Sequence, residues 1–253
     1  MKHTLLVLVV LLFANVGLAE QRLHLIGDRD NKPECFIDGD GNVTGSDVEI
    51  LRELGKRLDL KIEIELAPWV RVLSMVRSGK ADGGFPLFIT PERKEYALYT
   101  KAPIHVSVMT LYTKSGREFE YSDFSDLYKK RIGIIRGYSI SAEFDLAAKV
   151  GDIEIAEVET IDQLVKMLMG ERIDAIAATP SSITTYLKEK RVEISAIGHV
   201  RSRAAYLTLS KRAKIKDKEK LLEKINQTLF KMEQDGTIEK ITIKYLEQHA
   251  RED

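Results

Sequence analysis

The stretch PWVRVLSMVRSGKADGGFPLFITPERKEYALYT, residues 68–100, decides how the rest of the chain is read. Val72, Leu73, Met75 and Val76 put apolar side chains on one helical face, and Gly79 stops that helix. Residues 82–87 read as a short buried strand. Thr90 suits an N-cap, and Pro91 suits the first helical position, where the N–H it lacks would have no partner anyway. Glu92 fits the positive end of a helix dipole. Arg93 does not, because a cation in a first turn is disfavoured by roughly 0.3–1 kcal/mol. Two readings follow for Arg93. It is a surface arginine paired with Glu92 or Glu95, or it is a fork that takes a ligand carboxylate bidentately.

The 253 residues are 44% hydrophobic and 31% charged, enough for one large domain or two small lobes. Lys plus Arg and Asp plus Glu each number 39. That balance points away from nucleic acid and from anionic membrane as partners. Residues 1–19 read as a secretory signal. Lys2 supplies the positive start, residues 5–13 the short apolar run, and Gly17-Leu18-Ala19 a small-x-small cleavage site. The run is shorter than the roughly 20 residues a spanning helix needs, and no cysteine stands at the cut to carry a lipid. A periplasmic chain without a lipid anchor is expected. Loss of Lys2 leaves 38 basic residues against 39 acidic ones. Cys35 is the only cysteine, so no internal disulfide forms, and it reads as a buried small hydrophobe.

Upstream of the deciding stretch, residues 22–27 read as a strand. Asp28-Arg29-Asp30-Asn31 forms a polar loop at its carboxyl end, where ligands bind in open α/β sheets. Residues 33–37 read as a strand and Asp38-Gly39-Asp40-Gly41-Asn42 as a tight turn. The turn resembles part of a calcium loop but lacks the later bidentate Glu, and turn chemistry explains its Asp and Gly residues. Ser46 and Glu49 have capping-box spacing, ahead of a helix with Val48, Leu51, Leu54 and Leu58 inward. Residues 61–66 alternate as a half-buried strand that delivers Pro68-Trp69.

Downstream, residues 104–113 are β-rich, and residues 131–135 read as a buried strand. Arg136-Gly137-Tyr138-Ser139-Ile140-Ser141 then leads into a helix. Such a strand–Gly turn–helix unit offers free N–H groups as an anion seat. Thr160 and Gln163 have capping-box spacing as well. Residues 193–199 and 205–210 read as two strands, residues 216–234 as an amphipathic helix closed by Gly236, and Thr237 as the start of a last helix. MVRSGKADGGFPLFITPER, from Met75, and MLMGERIDAIAATPSS, from Met167, share one grammar: helix, Gly, Asp, strand, Thr-Pro, helix. Two such units predict two similar α/β lobes.

Asp82, the strand after it and ITPERKEYALYT resemble the G-x-x-D … T-x-E-R … F-S segment of the family 3 periplasmic solute-binding proteins, the polar amino-acid receptors of ABC importers. Gly45-Ser46-Asp47-Val48-Glu49 stands where family members carry G-F-D-V-D/E, and Asp123-Phe124-Ser125-Asp126-Leu127 and the ending DGTIEKITIKYL are similar as well. The resemblance covers about residues 28–246 and is dense at 68–100. It implies an α/β, two-lobed periplasmic-binding-protein-like (type II) clamp. The first lobe would hold residues 20–107 and 202–253, the second residues 108–201. Crossover strands near residues 106–108 and 200–203 would form the hinge, and the lobes would close on a ligand.

By the same resemblance Arg93 holds a ligand carboxylate, and Asp28 stands where members often carry a polar contact. Pro86 and Phe88 line the cleft where members often have Gly and Thr or Ser. Trp69 stacks on the ligand or fills core. Arg71 is a second anion contact or a solvated helix residue. Tyr138 and Ser139 offer hydroxyls and amides from the second lobe. Thr179 stands where amino-acid receptors of the family carry the Asp that holds the ligand's ammonium. A buried ammonium without a carboxylate is costly, so either Asp28 or another acid replaces that Asp, or the ligand is not an ordinary α-amino acid. The expected partners are a small molecule and an ABC permease, with a monomeric chain and no cofactor, metal or nucleic acid. Two alternatives stay open: an enzyme of this architecture, like cyclohexadienyl dehydratase, and a module that reports ligand to a membrane receptor. No Ser/His/Asp order or zinc spacing supports catalysis.

Overall fold

The computed structural model describes residues 22–189 and 192–251, so the expected leader lies outside the described residues. The alternation at residues 61–66 resolves into β5 (Lys61–Ala67), which runs parallel to β1 (Arg22–Asp28). Between them lie β2 (Asp30–Asn31), β3 (Cys35–Ile37) and β4 (Val43–Thr44), a small antiparallel sheet, and α1 (Ser46–Leu58). The deciding stretch forms α2 (Trp69–Ser78), β6 (Gly83–Phe88), α3 (Pro91–Lys94) and β7 (Ala97–Tyr99). A long strand β8 (His105–Lys114) then leads to β9 (Arg131–Ile135), α4 (Ala142–Val150), β10 (Glu154–Val158), α5 (Ile161–Met169), β11 (Ala175–Ala178) and α6 (Pro180–Glu189). The chain returns along β12 (Ile194–Ser210) to α7 (Lys218–Gln234) and α8 (Thr237–Arg251).

The main sheet has the order β10-β9-β11-β8-β12-β6-β1-β5, with β7 also on β12. Each end is a parallel set of three, and the antiparallel pair β8–β12 joins the two sets. Both ends are covered on both faces, as parallel strands require. At one end, Leu23, Leu25, Leu51, Leu54, Ile225 and Leu229 form one core, and Ile26, Val72, Val76 and Leu87 another. At the other end, Ile132, Ile134 and Phe144 form one, and Leu164, Val165, Ile176 and Ile183 another. The α1 face read from the sequence is buried through Val48, Leu51 and Leu54. Each such side chain contributes roughly 1.5–3 kcal/mol.

The shared grammar has a shared geometry. Asp82 Oδ2 accepts from the His24 backbone N–H at 2.8 Å, and Asp174 Oδ2 accepts from the Arg131 N–H at 2.7 Å. In return the Asp82 amide donates to His24 O, and the Asp174 amide to Arg131 O. Each Asp thus clips the start of its strand to the neighbouring parallel strand. The helix ends differ: Gly79 takes the left-handed conformation in one unit, whereas in the other it is Glu171, after Gly170.

Three local expectations are corrected. Ser46 is not the cap of α1. Gly45 holds that position at φ 127°, with no side-chain cap. The Ser46 and Asp47 amides donate to Pro33 O and Glu34 O, so the small sheet supplies the acceptors a capping side chain would have supplied. Residues 193–199 and 205–210 are not separate strands but parts of one 17-residue strand, whose pairing with β8 shifts register between Ala196 and Gly198 and between His199 and Arg201. Asp235 rather than Gly236 is the C-cap of α7. Thr90 and Thr160 cap their helices as expected, each accepting from the amide three residues on.

Replacing Asp82 with Ala leaves a strand-start amide without its acceptor, which costs about 1–2 kcal/mol. Asp82→Asn keeps an acceptor oxygen and should lose less than half as much in urea unfolding. Equal losses for the two variants would mean the clip does not carry the effect.

Candidate functional site

The carboxyl ends of the parallel strands in both halves meet at one cavity. They deliver Asp28 from β1, Trp69 after β5, Pro86 and Phe88 from β6, Gly137, Tyr138 and Ser139 after β9, and Thr179 after β11. With Asn31, Arg93, Ser107 and Met109, all of these except Gly137 line a cavity of about 30 Å³. Broader grooves of about 900 and 830 Å³ flank it, one beside the small sheet and one between α3 and α4. The small cavity is the candidate site because the buried titratable and aromatic groups converge on it.

Arg93 is only 4% exposed. Thr90 Oγ1 takes its backbone N–H at 3.1 Å, which turns the side chain inward. The guanidinium donates to Phe88 O at 3.2 Å and across the cleft to Gly137 O at 3.0 Å, and lies 5.2 Å from the Trp69 ring centre. It pairs with no carboxylate among the described residues. Glu92 pairs with Arg77 instead, so the surface-pair reading of Arg93 is overturned. Because α3 is a single turn, Arg93 lies as near its end as its start, and the expected dipole cost is small. Burial lowers the guanidinium's pKa.

Trp69 Nε1 also donates to Gly137 O, at 3.0 Å, and its ring meets Tyr138 edge-on at 5.7 Å. Gly137 sits at φ +77°, and a Cβ there would press on Leu73 at 3.2 Å, so glycine lets the turn approach this closely. The Tyr138 hydroxyl donates to Asp28 Oδ2 at 2.6 Å. Burial pushes Asp28 up to about 6, and the Tyr138 bond offsets part of that rise. Among the described residues, Asp28 is the only carboxylate lining the cavity. Its backbone carbonyl accepts from Cys35 Sγ, which is buried as expected.

The structure brings Arg93, Trp69, Asp28, Pro86, Phe88, Tyr138, Ser139 and Thr179 to one cavity. Arg71 is not among them. Its side chain is 62% exposed and pairs with Glu65 at 3.0 Å. Two residues along a helix turn through about 200°, so Trp69 facing in puts Arg71 out. The anion seat expected before α4 is also corrected: the Ile140 amide goes to Asp145 and the Phe144 amide to Ser141 Oγ, so the chain fills its own seat. Asn31, from the polar loop expected to meet ligand, lines the cavity too. Three contributors lay outside the named site residues: Ser107 and Met109 line the cavity, and Arg203 reaches its wall. Ser107 could have been found from the expected crossover, while Arg203 needs the strand register. His105 bonds Asp47 and Ser107, and His199 bonds Thr110, in line with structural roles.

The profile of the bacterial extracellular solute-binding proteins, family 3, matches residues 23–248. The L-cystine-binding protein TcyJ of Escherichia coli strain K12 is 26% identical over 239 residues, covering 92% of this chain and 87% of that protein. A probable amino-acid ABC transporter-binding protein of Haemophilus influenzae is 26% identical, covering 84% of this chain and 80% of its own. Among solved structures, an ancestral arginine-binding protein bound to arginine superposes with a TM-score of 0.75 at 23% identity, covering 88% of this chain and 97% of that one. The likeness shows a type II periplasmic-binding-protein fold with two lobes.

Parting the lobes would return Asp28 to water and toward its ordinary value of 3.8 from about 6. The closed form therefore binds more protons between those values, and closure weakens as pH rises through them, by up to about 3 kcal/mol. Small-angle scattering of ligand-free protein should show a larger radius of gyration at pH 7.5 than at pH 4.5. Asp28→Asn should abolish the difference. A wild-type radius that does not change with pH would contradict this.

Proposed function

Because this chain belongs to the bacterial extracellular solute-binding proteins, family 3, we propose that it captures a small carboxylate-bearing solute, an amino acid or a derivative, and presents it to an ABC permease. The observation that carries this is Arg93: a buried guanidinium at the cleft whose side-chain hydrogen bonds, among the described residues, go to carbonyl oxygens alone. A carboxylate is a stronger acceptor for that fork than two neutral carbonyls. The names of the relatives support the amino-acid class and the transporter. The chain acts as a monomer in the periplasm, exported by a cleaved leader at residues 1–19 and without a lipid anchor. No helix among the described residues is long and apolar enough to cross a membrane.

The lobes divide at the crossover pair, residues 20–107 and 202–253 against 108–201. The register supports this division, since Ser107 pairs with Arg203 and Val108 with Ser202. The cavity of about 30 Å³ holds about two water molecules, less than an amino acid needs. Binding therefore includes opening, and the ligand replaces bonds that now cross the cleft. Binding rather than turnover is the reading, because the two histidines nearest the crossover are tied to Asp47, Ser107 and Thr110 rather than aimed at the cavity.

Trp69 is the sole tryptophan and lines the cavity, so its fluorescence reports binding directly. Titration with L-amino acids, cystine included, should find at least one that changes it saturably. Arg93→Ala should weaken that ligand about 100-fold, the loss of a charge-assisted pair worth about 2.7 kcal/mol. Undiminished affinity in the variant would remove the anchor.

A further inference from the structure

Arg203 is the second guanidinium of the cleft, and the reading above gives it no task. It pairs with Ser107 across the β8–β12 ladder. Cross-strand partners point to the same face of a sheet, and Ser107 lines the cavity. The Arg203 guanidinium lies 4.6 Å from the centre of the Phe88 ring. It donates to Ser139 Oγ at 2.6 Å, to Ser139 O at 2.9 Å and to Ile89 O at 2.9 Å. Phe88 and Ser139 are both cavity residues, so Arg203 stands just behind the wall they make.

The two arginines are placed alike. Arg93 spans Phe88 O and Gly137 O, and Arg203 spans Ile89 O and Ser139 O. Residues two apart have Cα atoms no more than about 7 Å from each other, so both guanidinium groups sit within the reach of one short molecule. Neither pairs with a carboxylate among the described residues. Asp145 reaches Arg203 only through the Ser139 hydroxyl, which it holds together with the Ile140 amide. The Asp145 carboxylate acts on both only at a distance, so two neighbouring partly buried cations stay under-compensated, and carbonyl oxygens compensate each less than a carboxylate would.

We propose that Arg203 is a second anion contact and that the ligand carries two carboxylates, one for each guanidinium, as in a short dicarboxylate or an acidic amino acid. This rests on the reading of Arg93 as a carboxylate anchor. Opening the cleft frees Arg203 from Ser139, and the second carboxylate takes the place of those oxygens. The same pair of cations selects against a ligand with a basic side chain. Asp28 receives the ammonium when the ligand has one. The competing role for Arg203 is a plain interlobe latch, which would serve every ligand equally.

Calorimetry and Trp69 fluorescence on the mature chain separate these roles. The panel is L-aspartate, L-glutamate, succinate and glutarate against L-asparagine and L-glutamine. At least one dicarboxylate should bind about 30-fold or more tightly than its amide or than either amide of the panel. Arg203→Met should bring the ratio to within about threefold, with the change falling mainly on the acids rather than the amides. Arg203→Lys, which keeps the charge without the fork, should keep an intermediate ratio. Binding of succinate or glutarate beside the amino acids identifies a dicarboxylate ligand, and binding of aspartate or glutamate alone identifies an acidic amino acid; either supports the proposal. Amides bound as tightly as acids, or an Arg203→Met loss shared equally by acid and amide, overturns it while leaving Arg93 in place. Binding that ignores Arg93→Ala, or no binding by any carboxylate in this panel or among the amino acids above, overturns the anchor and this inference together.

Discussion

A buried positive charge with no carboxylate bonded to it among the described residues governs this molecule. Arg93 is taken out of water by α3, β6 and the turn after β9, and its partners there are two backbone oxygens from opposite sides of the cleft. Desolvating a guanidinium costs several kcal/mol, and carbonyls return only part of it. The fold maintains that arrangement through ordinary means: a Thr90 cap, a proline at the first helical position and a one-turn helix too short to swing away. The closed cleft is thereby left with an unmet electrostatic demand, and an anionic solute is the natural way to meet it.

The crossover pair makes the demand adjustable. The two halves of the sheet are each covered on both faces and have their own cores, with the Tyr138 ring packed against clusters of both halves. Among the described strands only β8 and β12 run between the halves within the sheet, so relative motion draws on that ring rather than on either core's interior. Support beneath the cavity comes from the first half. His105 Nε2 lies 2.8 Å from Ser107 Oγ, while His105 Nδ1 lies 2.9 Å from Asp47 Oδ1. Burial alone would lower the His105 pKa, but Asp47 overrides it and holds the imidazole above its ordinary value. Burial pushes the nearby Glu34 up to about 7. These groups fix the start of the crossover strand.

Much of this was readable from residues alone where the physics is local. The Gly–Asp–strand–Thr-Pro grammar specifies a helix stop, a strand and a new helix, each within a few residues, and both copies fold in that order, though the left-handed residue is Gly79 in one and Glu171 in the other. Trp69 and Arg93 each had two readings from the residues alone; the resemblance pointed Arg93 toward a ligand, and both side chains line the cavity. Arg71 was ambiguous because its own strand and helix do not say which way the helix is rolled until Trp69 is seated. Ser46 misled because the acceptors for its helix come from Pro33 and Glu34, a tertiary contact that removes the need for the box. Arg203 was illegible, since nothing in HVRSRAAY says which of its arginines faces the cleft. Arg201 and Arg203 share a face of β12, and their partners Met109 and Ser107 both line the cavity; what separates them is that Arg203 meets Ser139 and Ile89 while Arg201 is exposed.

The Gly137 carbonyl shows how closing and binding are linked. The Trp69 indole N–H and the Arg93 guanidinium both donate to that single oxygen, each at 3.0 Å. Two convergent donors, one of them charged, are what a carboxylate oxygen would seek. In the closed form a backbone oxygen from the opposite half occupies their focus, carried there by a glycine whose positive φ lets the turn lie against Trp69. Chain and solute therefore compete for the same donors. The chain's oxygen is tethered and neutral, which favours it in concentration; the solute's is charged, which favours it in bond strength. Affinity is then set by the difference between those two terms rather than by the strength of the arginine contact alone, and a substitution that strengthens the turn's own closure weakens the ligand's hold.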